Sequence, residues 1–247
     1  MFYSRDCRTD IQLIVSGLKM LDFITGELLL FNKPLYWTSF DLVKRVRGAI
    51  LKKLNIRNIK VGHTGTLDPL ATGLLIICTG AYTKRIEQFQ NLDKEYEANL
   101  MLGANTPSHD LETQIEQRFD ISHVSVELLK NTLQTFVGTY LQQPPSFSAK
   151  FINGKRAYEL ARKGKDVELK SHSVSIYSLE ILEYTKPILT IRIKCSKGTY
   201  IRALARDIGI KLQSGAHLVA LKRTCIGHYT LEKAITFSEF EKLLNYM

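Results

Sequence analysis

The string Gly62-His63-Thr64-Gly65-Thr66-Leu67-Asp68-Pro69-Leu70-Ala71-Thr72-Gly73, followed at once by Leu74-Leu75-Ile76-Ile77-Cys78, constrains this chain more than any other stretch. The apolar run reads as a buried strand. Gly62, Gly65 and Gly73 let the backbone bend sharply or approach a ligand closely. Pro69 fixes its own φ and turns Asp68 away from the helical region. The pattern predicts a lone carboxylate on a rigid loop beside a core strand, placed to act on something large that docks from outside. No Gly-Lys-Ser/Thr ending follows, so the loop is not a P-loop, and the spacing is not a dinucleotide fingerprint. No cysteine or second histidine stands at ligand spacing from His63, which argues against zinc. The bland alternative is a glycine-rich turn in which Asp68 serves as a cap.

At 247 residues, 45% hydrophobic and 23% charged, the chain can bury a sizeable core. Its net charge of +10 points to a polyanionic partner. An anionic lipid surface would also suit that charge, but no apolar stretch reaches the roughly 18 residues of a membrane span, which favours nucleic acid. Cys7, Cys78, Cys195 and Cys225 form no CxxC pair, and Cys78 and Cys195 sit in apolar runs. Such thiols suit a reducing cytoplasm. Ile11–Leu18 is too short and interrupted for a signal peptide, so a cytoplasmic protein is expected.

Along the chain, Leu28 to Phe31 reads as a strand, and Ser39 as the N-cap of a helix through Leu42, Val43 and Val46 with Lys44, Arg45 and Arg47 on its wet side. A short helix is expected over Tyr82–Phe89. Tyr96, Ala98, Leu100 and Leu102 alternate with Glu95, Glu97, Asn99 and Met101, the signature of a half-buried strand. Leu189, Ile191, Ile193 and Cys195 alternate in the same way. Helical stripes follow at Val126, Leu129, Leu133 and Phe136, and at Ile201, Leu204, Ala205, Ile208 and Leu212. Thr236 to Glu239 matches a capping box. Asn153-Gly154 marks a hairpin turn in a basic stretch. Helices and strands intermix without βαβ alternation, so the fold class is α+β with a mixed or largely antiparallel sheet.

The string around Asp68 resembles the catalytic motif of the TruB family of pseudouridine synthases. Three more segments resemble that family: Lys94-Glu95-Tyr96 with Leu102-Gly103-Ala104-Asn105-Thr106, Cys195-Ser196-Lys197-Gly198-Thr199-Tyr200-Ile201-Arg202, and Leu218 to Thr224 closing with Gly227. The resemblance implies the pseudouridine synthase fold, a bent sheet with flanking helices and an RNA-binding cleft across its middle. It implies Asp68 as the catalytic nucleophile, Tyr96 as the residue stacking on the target base, Arg202 as the partner of the aspartate, and Tyr200 as a wall of the base pocket. His63 would contact the RNA loop. Lys33 and Lys84 would meet phosphates, and the basic stretch of Lys150, Lys155, Arg156, Arg162, Lys163, Lys165 and Lys170 around Tyr158 would belong to an RNA-gripping insertion at about 105–170. Each has a plainer alternative: a core tyrosine, a solvated arginine, a loop histidine, a wet helix face.

The chemistry asks for such residues. Turning uridine into pseudouridine breaks the N-glycosidic bond and rejoins the sugar to carbon 5, which requires an extruded base, a nucleophile and a surface to stack on. Whether Asp68 attacks base or sugar is left open. Arg202 would offer a fixed, always-charged partner. The isomerisation is redox-neutral, so neither cofactor nor metal is expected.

The expected activity is isomerisation of uridine-55 in the T loop of tRNA, with the T stem-loop as partner and no obligate protein partner or membrane. A non-catalytic tRNA-binding and refolding protein, or a synthase acting on another RNA, are the alternatives. Residues 20–247 would form the catalytic domain and residues 1–19 an extension of uncertain status. Many family members carry a C-terminal PUA domain; too little chain follows Gly227 for one here.

Overall fold

In the computed structural model, residues 21–148, 151, 152, 154–157, 160, 162 and 169–247 are described. The expected extension at 1–19, and Lys150, Asn153, Tyr158, Lys163 and Lys165 of the basic stretch, lie outside the described residues. In chain order the elements are β1 (Leu28–Lys33), α1 (Ser39–Leu54), β2 (Val61–His63), β3 (Ala71–Thr79), a 3-10 turn at Gly80–Arg85, α2 (Ile86–Gln90), β4 (Lys94–Leu102), β5 (Ala104–Asn105), β6 (Gln117–Arg118), α3 (Val126–Gln134), β7 (Gly138–Gln142), β8 (Phe151–Ile152), β9 (Lys155–Arg156), β10 (His172–Thr185), β11 (Ile188–Cys195), α4 (Ile201–Lys211), β12 (Ala216–Ile226), β13 (Tyr229–Thr230), a 3-10 turn at Leu231–Lys233, and α5 (Phe237–Tyr246). The intermixed order bears out the α+β reading. Among the described residues no helix is long and apolar enough to cross a membrane.

The chain forms two units, one comprising the described residues up to Lys94 with Lys222–Met247, the other Glu95–Leu221. In the first, β1 pairs antiparallel with β3 from Leu28↔Cys78 to Lys33↔Gly73, and β2 pairs with β3 as far as His63↔Ile77. Leu75 and Ile77 pack with Phe31, Leu42, Val46, Ile50, Phe240 and Leu244, so one face of β3 meets α1 and α5. Leu74, Ile76 and Cys78 pack on the other face with Leu30, Phe89 and Ile226. Burial on both faces explains why the run 74–78 is continuously apolar rather than alternating. Each of these aliphatic side chains, fully removed from water, contributes about 1.5–3 kcal/mol.

The start of α1 differs from the expectation. Thr38, not Ser39, is the N-cap, forming a reciprocal capping box with Asp41. Ser39 is buried, and its hydroxyl instead exchanges hydrogen bonds with the backbone of Leu67, donating to the carbonyl at 3.1 Å and accepting from the N–H at 2.8 Å. Lys44, Arg45 and Arg47 are exposed as expected. Thr236 and Glu239 form the expected capping box on α5.

In the second unit, β10 pairs antiparallel with β11 and with β7, with irregularities in register between Ile176 and Ser178 and between Ile181 and Glu183. β4 alternates buried and partly buried residues along its whole length, and β11 alternates likewise. The apolar stripe of α4 is buried at every predicted position, Ile201, Leu204, Ala205 and Ile208, and Leu212 just beyond its end is buried too. The predicted hairpin is present in the backbone as Phe151↔Arg156 and Ile152↔Lys155.

Candidate active site

Asp68 sits half-buried on a loop fastened at many points, all within the first unit. The N–H of Thr64 donates to the Ile76 carbonyl and that of Tyr36 to the Pro69 carbonyl. The Asp68 carbonyl accepts from the Ala71 N–H at 3.0 Å, closing a turn over Pro69 and Leu70. Leu67 is buried and its backbone is held on both sides by Ser39. Few degrees of freedom are left to the residue after it.

Beneath the loop lies Arg223, 1% exposed. Its Nε donates to the Leu74 carbonyl at 2.8 Å and its Nη2 to the Gly65 carbonyl at 3.1 Å. Gly73, at φ 102, passes so close that an added Cβ would lie 2.3 Å from the Arg223 carbonyl oxygen, so only glycine fits. Lys33 is fully buried, its ammonium donating to the carbonyls of Pro34 at 2.9 Å and Trp37 at 2.6 Å. Burial pulls its pKa from 10.5 down to about 8, with the charge of Asp68 acting against that fall and Arg223 adding to it. This corrects the expectation for Lys33: an ammonium sealed from solvent and engaged by two carbonyls is not a phosphate contact, but a fixed cation in the field of Asp68. Lys84 is exposed, as a phosphate contact requires.

His63 is half-buried at the end of β2, and its Nδ1 accepts from the Gly65 N–H at 3.2 Å. Burial and then the Arg223 charge hold its pKa below the usual 6.5. The imidazole is therefore neutral at pH 7, and with Nδ1 accepting, its proton sits on Nε2.

In the second unit, Tyr96 lies on the buried face of β4 and is 8% exposed. Arg202, in the first turn of α4, is buried as well, which sets aside the plainer alternative of a solvated arginine. Its Nε lies 3.6 Å from Asp110 Oδ2, its Nη1 donates to the Ser108 carbonyl at 3.2 Å and its Nη2 to the Phe147 carbonyl at 2.9 Å. The guanidinium thus ties the 106–113 loop to the 142–148 loop. His109 sits beside it, pushed down to about 4 by burial and then by Arg206 and Arg202. Tyr200 caps α4, its N–H and carbonyl both bonded to the buried Gln142 amide and its ring edge-on to His172 at 5.9 Å. Lys155 and Arg156 belong to the β8–β9 hairpin by their backbone.

A sequence model for the N-terminal domain of TruB family pseudouridylate synthases matches residues 52–201, and one for the tRNA pseudouridylate synthase B C-terminal domain matches residues 202–247. The chain belongs to the TruB family. It is similar to the tRNA pseudouridine synthase B of Parabacteroides distasonis, 57% identical over 224 residues that cover 91% of this chain and 95% of the relative. The Flavobacterium johnsoniae protein of the same name is 45% identical over 224 residues, 90% of this chain and 98% of the relative. Among solved structures, the chain is similar to one in a Cbf5-Nop10-Gar1 complex, with a TM-score of 0.64 at 25% identity over 96% of this chain and 56% of that one. It is also similar to one in an H/ACA RNP bound to a substrate RNA containing 2'-deoxyuridine, with a TM-score of 0.63 at 25% identity over 88% and 53%. This TruB family chain spans about half the length of those two.

Two buried residues, one in each unit of this TruB family chain, leave little sign in the sequence. Arg223 stands inside the Leu218–Thr224 motif, where it is buried while its neighbour Lys222 is exposed, a difference that residue type alone does not show. Asp110 carries no motif; the polar run Thr106 to Thr113 after β5 is the available signal.

Proposed function

We propose that the protein isomerises uridine-55 in the T loop of tRNA to pseudouridine. The observation that carries this reading is the Asp68 loop: its backbone is held by Arg223 through the Gly65 and Leu74 carbonyls, and it carries a single carboxylate, half-open to solvent, in the field of the buried charge of Lys33. The substrate class rests on the TruB family relatives, whose name is tRNA pseudouridine synthase B.

In this reading the uridine leaves its stack and enters the site, since its reacting atoms are out of reach inside a folded T loop. Asp68 is the nucleophile. The bond between the sugar C1′ and N1 breaks as the Asp68 carboxylate bonds to sugar or base, the base turns, C1′ bonds to C5 as the bond to Asp68 is released, and the proton lost from C5 is matched by one taken up at N1. Tyr96 supplies the aromatic face for the base, and Tyr200 bounds the pocket, both on the strength of their motifs. Arg202 acts as the charged partner in the same set. His63 offers Nε2–H to the RNA loop, and Lys84 with the basic hairpin meets phosphates. RNA recognition of this kind reads shape and extruded loop bases rather than duplex sequence.

The deciding experiment is to incubate unmodified tRNA with purified protein and map pseudouridine along it. Modification at position 55, lost with Asp68→Asn while RNA binding persists, is the expected result. RNA binding without modification by the wild type would favour a binding protein, and modification at other positions only would move the substrate.

A further inference from the structure

We propose that Tyr36 and Phe40 form a second nucleobase-stacking surface beside the Asp68 loop, which takes an unpaired base of the RNA other than the one that reacts. The inference rests on the RNA-modifying role argued above. Large apolar side chains are mostly buried in the first unit, yet Leu35, Tyr36 and Phe40 are 42%, 74% and 58% exposed within six residues. Such a cluster on one short segment marks a contact surface.

The backbone at this place is unusual too. Tyr36 has φ 67, in the left-handed region that a bulky residue enters at a cost and glycine enters freely. The strained conformation is held by the hydrogen bond from the Tyr36 N–H to the Pro69 carbonyl at 2.8 Å, one residue from Asp68. Ser39 fastens the same segment to Leu67 on the other side of the aspartate. The exposed rings are therefore anchored to the loop that carries the nucleophile.

Charge decides what they meet. The rings interleave with cations: Lys44 Nζ lies 4.8 Å from the Phe40 ring centroid, and the Arg45 guanidinium 4.2 Å from that of Trp37. Arg47, Lys52 and Lys53 continue the basic face of α1, against Asp41 as its one acid. Exposed aromatics among cations suit a strand that presents both phosphates and base faces, and stacking accepts any base. A lipid or protein partner would explain the apolar area but not this alternation.

The test is a binding titration of a T-arm hairpin RNA at fixed salt with wild type, Tyr36→Gly, Tyr36→Phe, Phe40→Ser and, on the last turn of α5, Tyr246→Ser, a residue equally exposed at 74%. Glycine adopts φ 67 without strain, so Tyr36→Gly folds, and melting curves verify that. Tyr36→Gly and Phe40→Ser should each weaken binding by about five-fold or more; Tyr36→Phe and Tyr246→Ser should not. RNA affinity at the wild-type level in both Tyr36→Gly and Phe40→Ser would overturn the inference and leave the surface to a protein partner. A wild type that neither binds nor modifies tRNA would overturn it together with the proposed function, whereas normal modification with unaffected variants would overturn it alone.

Discussion

The guanidinium of Arg223 bridges Gly65 and Leu74, donating to both carbonyls and so clasping the two ends of the loop that holds Asp68. A bidentate contact of this kind fixes the loop by direction as well as by attraction. Arg223→Met would leave two carbonyls without their donor, so it should lower stability by about 1.5–3 kcal/mol and reduce single-turnover pseudouridine formation. Arg223→Lys should recover part of the stability but little of the rate, because an ammonium lacks the fork. Urea denaturation alongside single-turnover assays checks both; a Lys variant with full rate would show that charge alone suffices.

Lys33 makes a prediction about alkaline pH. Its pKa is near 8 in the folded chain and 10.5 in an unfolded one. Between those values the unfolded state holds more protons, so stability rises with pH. The cost of burying the charge is complete below pH 8 and fades toward pH 10.5. Urea titrations from pH 7 to 10 should show this gain in the wild type and not in Lys33→Met, provided the difference between the two proteins is compared at each pH.

Arg202 and Asp110 are a nearly buried ion pair, with side chains 6% and 8% exposed. Removing one member strands the other, so Arg202→Met should cost about 3–5 kcal/mol of stability. The double change Arg202→Met with Asp110→Leu should recover much of that loss, since a well-packed apolar pair is often neutral in such a place. Activity measurements on Arg202 variants are informative only once melting curves have set that loss aside.

The net charge of +10 predicts a steep salt dependence of tRNA binding. The logarithm of the binding constant should fall linearly with log[salt]. Replacing Lys84, Lys155 and Arg156 by Gln should flatten the slope by about 0.7–0.9 for each phosphate that is no longer neutralised. An unaltered slope in the triple variant would place the RNA on other cations.

Periodic patterns were legible where one face alone is buried. The alternation in β4 and β11 and the stripe of α4 follow directly from side-chain spacing. Local chemistry was legible too: the Thr236–Glu239 box needs only four residues of context. At α1 the same rule fits two neighbours, and the choice of Thr38 over Ser39 depends on Leu67, 28 residues away. Lys33 was expected on a phosphate, and Arg223 carried no reading of its own, because no residue type announces the carbonyls of Pro34, Trp37, Gly65 and Leu74 that receive their charges. Buried cations answered by backbone oxygen leave no compositional trace.

Because β3 is apolar on both faces, its side chains could slide by one residue past β1 and still bury hydrocarbon; hydrophobicity does not tell this strand where to stop. Gly73 does. It alone can pass so close to the Arg223 backbone, so it acts as a detent on a rail, and Asp68 stands a fixed number of residues upstream of it. Gly73→Ala should therefore displace the carboxylate bodily rather than merely loosen the core. In this enzyme the place of the Asp68 carboxylate is measured out from a residue with no side chain at all.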